Sequence, residues 1–568
     1  MQSLLKLLDK IDGQGYKAYK SIQGEYRFPT FRLVIDHVQG DPFAEPSRCR
    51  IFLPISSTDL PEQLYNNNIR RIALEDFLGR RFASMIEAMT RGRRESGHSG
   101  IFDMVCYGQQ VLQRNALLIN PPEIEVRFQI GLPDDDRRVG SNQARIMFGM
   151  ELPVLVESAL LQAWEVMTQV EQHVNCVEDQ QFLRDQLDGH ELVAFIANGS
   201  MLARHSGIDD RPLLDSVRIK APDAFACVLS RKHAASVKGI AITRGVNLIV
   251  GGGFHGKSTL LRAIEQGVYN HIPGDGRELV VSDPYCCKIR AEDGRSIVGT
   301  DILPFIHNLP GSQPCAFFST NNASGSSSEA ASTIEALATG AKTLLFDEDS
   351  SASNFLLRDE RMRALVPSDK EPITPLIQCV RQLWEEQGIS IVLVAGGSGE
   401  YFSVADKVIM MDNYQPQNVT VAAKLLAGEK VKPEFACAHI GQKSLRFPNT
   451  DCLSPLTSNK KVRIKVFGTR MMQYGDEEVS LIAIEQLVDS AQALAIGHLI
   501  GNYHRYITEK KQNLVGGLNQ VYKRLQQEGF DVITPYPTGK LAMPRFQELV
   551  QVVNRMRLLA LENLARFN

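Results

Sequence analysis

Short apolar runs, each bounded by glycine, proline or charged residues, recur through the middle of this chain. Val246-Asn247-Leu248-Ile249-Val250, Leu279-Val280-Val281-Ser282, Thr343-Leu344-Leu345-Phe346, Ile391-Val392-Leu393-Val394 and Val408-Ile409-Met410-Met411 read as buried strands. Helical spacing follows the first run over Thr259–Glu265 and precedes the third over Ala330–Leu337. Strands alternating with helices predict an α/β core built on a central sheet. The pattern changes on either side. Phe31–Ile35 and Arg50–Pro54 read as strands, and Glu123–Ile130 alternates in the strand manner. Apolar residues at 152, 155, 156, 159, 163, 167 and 170 then mark an amphipathic helix that leads into the core, with Trp164 read as packing. Toward the C-terminus, stripes at 481, 484, 488, 491, 495 and 499 and at 546, 549, 550, 553 and 556 predict further helices. The expected organisation is an α+β N-terminal accessory domain over 1–162, an α/β core over 163–440, and a mainly helical C-terminal accessory domain over 441–568.

Composition narrows the class of protein. A chain of 568 residues exceeds one hydrophobic core, so about three domains are expected. Its 43% hydrophobic and 22% charged residues are an ordinary soluble globular mixture. A net charge of −3 excludes a globally basic surface, so any nucleic-acid contact must be a local patch. The ten cysteines form no C-x-x-C pair, and scattered reduced thiols point to a cytoplasmic setting. Met1–Lys10 is too short and too charged for a secretory signal. No uninterrupted apolar run reaches the ~18 residues of a membrane span, so no membrane insertion is expected. Leu481–Ile500 is interrupted by Glu485 and Asp489.

The chemistry begins at Gly251-Gly252-Gly253-Phe254-His255-Gly256-Lys257-Ser258-Thr259, which fits G-x-x-x-x-G-K-[ST] between a strand and a helix. Such a loop turns backbone N–H groups around phosphate oxygens at the positive end of a helix. Lys257 supplies a point charge to the β- and γ-phosphates, and Ser258 a hydroxyl for Mg²⁺. Farther on, Asn322–Glu329 opens a helix with Ser324 or Ser326 as N-cap, a helix start that accepts phosphate. The strand Thr343–Phe346 runs into Asp347-Glu348, the Walker B pattern. There Asp347 holds Mg²⁺, and Glu348 orients and polarises an attacking water.

Together these segments resemble the ABC ATPases, and within them the soluble family described as predicted ATPases of the ABC class. The likeness is carried by Gly251–Leu261, His271-Ile272-Pro273-Gly274-Asp275-Gly276-Arg277-Glu278, Arg290–Arg295, Ala323-Ser324-Gly325-Ser326 and Asp347–Phe355. It implies ATP and Mg²⁺ as cofactors and a head-to-tail homodimer. Each ATP would lie between the P-loop of one copy and Ser324-Gly325-Ser326 of the other. Ser350–Asn354 would then fall where the D-loop crosses the seam, with Asn354 in place of the usual aspartate. Two departures bear on turnover. Gly396 and Gly397 stand where the switch histidine is expected, leaving Ser398 or Arg358-Asp359 as substitutes. No glutamine fills the Q-loop, where Glu292, Asp293 and Asp301 are the alternatives.

Two basic segments bear on partners. Arg91-Gly92-Arg93-Arg94-Glu95-Ser96-Gly97-His98-Ser99-Gly100 reads as a loop for RNA or DNA phosphates or as a solvated basic loop. Lys460–Arg470 alternates basic and apolar residues, as a nucleic-acid-facing strand or as a lysine-guarded edge. Family likeness ranks RNA above DNA. The expected function is an ATPase coupling closure of the dimer to its flanking domains. The alternative is an ATP-clamped nucleic-acid-binding module that hydrolyses little.

Overall fold

A computed structural model describes every residue except 91–96, 310–313, 359–360, 362–364, 367–369, 429–439, 441–445, 508–511 and 563–568. The basic loop at Arg91, Arg93 and Arg94 therefore lies outside the described residues, as does Asp359. The chain divides into two compact units: Met1–Glu178 with Phe530–Met543, and Asp179–Gly529 with Pro544–Asn568.

The first unit is α+β. Its antiparallel sheet runs Gly24–Arg27, Arg32–His37, Ser47–Pro54, Glu123–Gly131, Ile101–Asp103, and Leu117–Asn120 also pairs with Glu123–Gly131. Ser47–Pro54 alternates buried positions with more exposed ones, as one face on a core requires. Helix Asn68–Thr90 contributes Phe82, whose ring meets Phe128 edge-on at 5.7 Å. Asp134–Asp135 pairs with Arg138–Val139 around Asp136 and Arg137, both at positive φ, so the three aspartates form a tight turn. Phe530–Met543 joins this unit through polar anchors: Arg127 pairs with Asp531 at 2.6 and 2.8 Å, and Asn115 Oδ1 accepts the Leu541 N–H at 2.9 Å. Trp164 is 57% exposed, against the expectation of packing. It lies where the helix breaks at Gln162 (φ −89°, ψ 27°). The helical stretch around it, Ser141–Gln186, is long and apolar enough by composition to cross a membrane, although no apolar run within it is uninterrupted over that length. Of its most apolar window, 44% is buried, and Arg81 donates to the Ser158 and Gln162 carbonyls at the break.

In the second unit four of the apolar runs become strands β1 (Val246–Val250), β3 (Thr343–Asp347), β4 (Ser390–Val394) and β5 (Lys407–Asp412), joined by β2 (Cys286–Lys288) and β6 (Gln415–Asn418). Their order is β2-β3-β4-β1-β5-β6, parallel throughout except for the β5–β6 hairpin. Strands β1, β3 and β4 are buried almost end to end, which is why they read as continuous apolar runs. Helix α1 (Lys257–Gln266) follows β1, α2 (Gly325–Ala338) precedes β3, and α3 (Leu376–Gln387) precedes β4. Val280–Ser282 is a strand, but not of this sheet. It pairs with Leu192–Ala197 in a separate antiparallel sheet that also holds Ala226–Leu229 and Val237–Thr243. The C-terminal region holds a three-stranded sheet (Ile464–Phe467, Met471–Tyr474, Glu477–Ser480) and helices Ser490–Gly501, Leu514–Glu528 and Phe546–Arg555. Among the described residues eight cysteines are free and Cys379 is disulfide-bonded, so the expectation of reduced thiols is corrected at Cys379.

Candidate nucleotide-binding site

Strand β1 ends at Val250, the chain turns through Gly251–Gly256, and α1 starts at Lys257. The two framing glycines are fixed by close approach. Gly251 has φ +139°, and a Cβ there would lie 2.4 Å from the Met411 carbonyl oxygen. Gly256 has φ +95°, and its Cβ would lie 2.6 Å from the Tyr414 ring. Phe254, by contrast, is a bulky residue at φ +62° and is 99% exposed, a conformation that costs roughly 1–2 kcal/mol outside glycine. Lys257 Nζ donates to the Gly251 and Gly252 carbonyls, at 2.8 Å each. His255 Nδ1 accepts the Asn413 N–H at 2.9 Å, and its carbonyl accepts the Tyr414 N–H at 3.1 Å. His255 thus fastens the loop to the β5–β6 hairpin, whose Asn413 and Tyr414 both sit at positive φ.

The acidic pair comes from two strands away. Register pairs Asp347 of β3 with Val394 of β4, so Glu348 emerges beside Ala395-Gly396-Gly397. Glu348 Oε2 accepts the N–H groups of both Gly396 and Gly397, the latter at 3.0 Å. A Cβ on Gly397 would come within 2.8 Å of Glu348 Oε1. Glycine where a histidine was expected therefore lets the backbone reach the carboxylate. One cavity of about 570 Å³ is lined by the loop glycines, Lys257, Ser258 and Thr259 on one side and by Asp347, Glu348 and Gly396 on the other. That volume falls in the ~300–1,000 Å³ range of small-molecule sites. Phe254 also lines it, whereas His255 does not. The Ser258 hydroxyl and Asp347 carboxylate are hard oxygen donors on one cavity and fit Mg²⁺. Among the described residues no group of three or more His, Cys, Asp or Glu could hold a metal by itself. An ion at this cavity would draw its remaining ligands from phosphate and water.

The serine-bearing helix start is placed elsewhere. Ser324 caps α2 by accepting the Ser327 N–H at 3.4 Å, and Ser326 donates to Asn354 Oδ1 at 2.7 Å. Ser324, Gly325 and Ser326 do not line the cavity of their own chain. Neither do the Q-loop alternatives. Glu292 accepts from Arg555 at 2.9 Å, Asp301 accepts the Leu303 N–H at 3.1 Å, and Asp293 lies beside Gly325. Ser398 caps a turn at Glu400, and Arg358 pairs with Glu371 at 3.3 Å. Sequence reasoning missed Tyr414 and Gly396 as cavity residues. The only signals were a bulky residue in a two-residue hairpin turn and a Gly-Gly pair after an apolar strand.

A glycine loop between a parallel strand and a helix, facing an Asp-Glu pair at the end of the strand two along, defines a P-loop nucleotide-binding core. Three family models match the chain. These are "ATPase of the ABC class N-terminal" over residues 1–163, the ABC ATPase "P-loop domain" over 166–443, and "MRB1590 C-terminal domain" over 463–562. The protein belongs to the ATPases of the ABC class that carry these two accessory domains. Among curated proteins it is similar to the uncharacterized protein MJ1628 of Methanocaldococcus jannaschii, 29% identical over 250 residues. That match spans 42% of this chain and 54% of the relative. Among solved structures, MJ1267, an ATP-binding cassette of an ABC transporter, is 14% identical over 36% of this chain and 92% of its own, with a TM-score of 0.23. CbiO1 of Clostridium perfringens, part of the ABC transporter complex cbiONQ, is 13% identical over 42% and 92%, with a TM-score of 0.25.

Proposed function

We propose that two copies of this chain bind Mg-ATP between them and hydrolyse it, with closure of the pair moving accessory domains that grip RNA. One observation carries the reading. Lys257 and the Asp347-Glu348 pair line the same cavity, whereas Ser324-Gly325-Ser326 of the same chain does not. A second copy is what supplies a helix start to the open side.

The geometry supports the following residue roles. Lys257 exchanges its two carbonyl partners for phosphate oxygens, and the glycine loop and α1 N-terminus present N–H groups to the same charge. Ser258 and Asp347 would hold Mg²⁺, which when bound neutralises charge on the phosphates. Glu348, its carboxylate steadied by the Gly396 and Gly397 N–H groups, orients the attacking water. The clamp reading is favoured by the same two glycines, because no imidazole stands there to sense the γ-phosphate. Steady-state turnover separates the two readings. We expect Lys257→Ala to lose ATP binding and Glu348→Gln to keep binding while turnover falls ~100-fold or more. Equal rates for Glu348→Gln and wild type would establish the clamp, and full activity in Lys257→Ala would remove the site.

A further inference from the structure

The motif Arg290-Ala291-Glu292-Asp293-Gly294-Arg295 lines no part of the glycine-loop cavity. It leaves β2 and runs past the serine-bearing helix start, to which it is bonded along its length. The Ala291 N–H donates to the Ser350 carbonyl at 3.0 Å, and the Glu292 N–H to Ser328 Oγ at 2.8 Å. The Gly294 N–H donates to the Ala323 carbonyl at 2.8 Å, and the Ala323 N–H donates back to the Arg295 carbonyl at 2.9 Å. Arg295, 3% exposed, donates to Ser332 Oγ at 2.6 Å and pairs with Glu335 along α2. The C-terminal region grips the same segment. Arg555 ends helix Phe546–Arg555 and donates to Glu292. Arg557 donates through Nη1 to the Asn321 carbonyl at 2.6 Å and through Nη2 to the Gly294 carbonyl at 3.0 Å. One guanidinium thus staples the chain just before Ser324 to the turn at Gly294, which holds φ +82°. Resting on the two-copy reading above, we propose that Arg557 is a positioning residue for ATP hydrolysis. It sets the helix start that its own chain lends to the site of the partner copy.

The staple sits where the helix start is weakly held. Asn321, Asn322 and Ser324 are exposed, and the cap bond that Ser324 accepts is long, at 3.4 Å. A helix start that must reach a second copy cannot be buried in its own chain, so its direction depends on bonds to its flanks. Arg557 is itself fixed from behind. Its backbone N–H donates to one oxygen of Glu477, and the other oxygen accepts the Leu558 N–H at 3.1 Å. Glu477 opens a strand of the C-terminal three-stranded sheet. A short run of bonds therefore leads from that sheet, through Arg557, to Asn321 and the helix start. Both acceptors of the guanidinium are neutral carbonyls, so what the group supplies is direction: its planar fork holds two acceptors at a fixed spacing, which a lysine cannot do. Arg557 also lines an open cleft of about 460 Å³ with Asp293, Glu478, Ser480 and Ile482. The staple is thus set at a wet edge and not in an apolar seam, and its loss leaves the core packed.

The test uses the full-length protein, Mg-ATP and steady-state turnover, alone and in equal mixtures of two variants. Arg557 is exposed, so Arg557→Ala removes the staple at a surface position that folding tolerates. Its kcat should fall ~10-fold or more, the scale of a misplaced group. Arg557→Lys keeps the charge and loses the fork, so it should stay near the alanine variant. Wild-type turnover in the lysine variant would overturn the staple. Mixing then shows which side of the site is damaged. With Lys257→Ala, each hybrid joins the intact glycine loop of the Arg557→Ala chain to the intact helix start of the other, and turnover should rise to roughly a quarter of wild type. With Ser324→Arg, whose defect lies on the same side, nothing should be gained. Unchanged kcat in Arg557→Ala, or restoration by Ser324→Arg in place of Lys257→Ala, overturns the role and leaves the two-copy reading standing. Restoration by neither partner marks a general structural defect and overturns it as well. The mixture of Lys257→Ala with Ser324→Arg is the control. If that pair associates and stays inactive, the two-copy reading falls and the positioning role falls with it.

Discussion

At the scale of single residues, several side chains are set by what lies on the far side of the backbone. Gly251 and Gly256 were legible as glycines of a phosphate loop, but why glycine is needed there became visible only with Met411 and Tyr414 in place. Glu329 is a similar case. It follows the serine-rich helix start in sequence, yet it is fully buried and its Oε2 accepts the Ala352 N–H at 2.8 Å, tying α2 to the Ser350–Asn354 segment. Burial pushes its carboxyl up to about 7, against partial relief from hydrogen bonds of Ser351 and Ala352. The folded protein therefore keeps this proton up to about pH 7, whereas the unfolded chain releases it near 4.5. Between those values the folded state binds more protons, so its contribution to stability is lost as pH rises. Glu329→Gln should flatten that part of the profile, removing on the order of 2–3 kcal/mol of decline between pH 5 and 8. Urea midpoints across that range check it, and an unchanged slope would show that Glu329 is not the titrating group.

At the scale of elements, strands buried on both faces were legible because nothing but apolar side chains suits them. Strand β2 was not, because Cys286-Cys287-Lys288 carries no periodic signal and its place is set by pairing with β3. The edge strand Ile464–Phe467 shows the opposite balance. Ile464 and Val466 are half-buried, and a Cβ on Gly497 would lie 2.6 Å from Ile464, so that face rests on helix Ser490–Gly501. Lys460, Lys461, Arg463, Lys465 and Arg470 are exposed. If these cations contact single-stranded RNA phosphates, replacing Lys460, Lys461 and Lys465 with alanine should lower the slope of log affinity against log salt by ~2. Filter binding of an oligouridylate at several salt concentrations reads it directly. An unaltered slope would assign the lysines to guarding the edge.

At the scale of the whole molecule, the proposed pair makes a prediction that no single chain can satisfy. Lys257→Ala spoils the loop and Ser324→Arg spoils the helix start, so each variant alone should be inactive. Mixed in equal amounts, they form hybrids in which one of the two sites has both parts intact. Random pairing should restore roughly a quarter of wild-type turnover. Continued inactivity, with both variants shown to associate in Mg-ATP, would mean that each site is completed within one chain.

Residue order alone was enough to specify the glycine loop, the Asp-Glu strand and the α/β alternation, because each is a local pattern of phosphate geometry or burial period. The N-terminal α+β character and the stripe at 546–556 were legible for the same reason, whereas the stripe begun at 481 was not all helix: Asp489 caps Ser490–Gly501 and residues 481–488 run in turns before it. Contacts between residues far apart in sequence could not be read that way. Phe530–Met543 packs with the first unit through Arg127 and Asn115, hundreds of residues away. Tyr414 covers Gly256 because the hairpin that starts from the neighbouring strand β5 folds back over the loop. Arg277 meets a carbonyl at Leu202 rather than an acid, a partner no charge pattern advertises. Only tertiary structure decided these, since a buried polar group is satisfied by whatever the fold brings within hydrogen-bond reach.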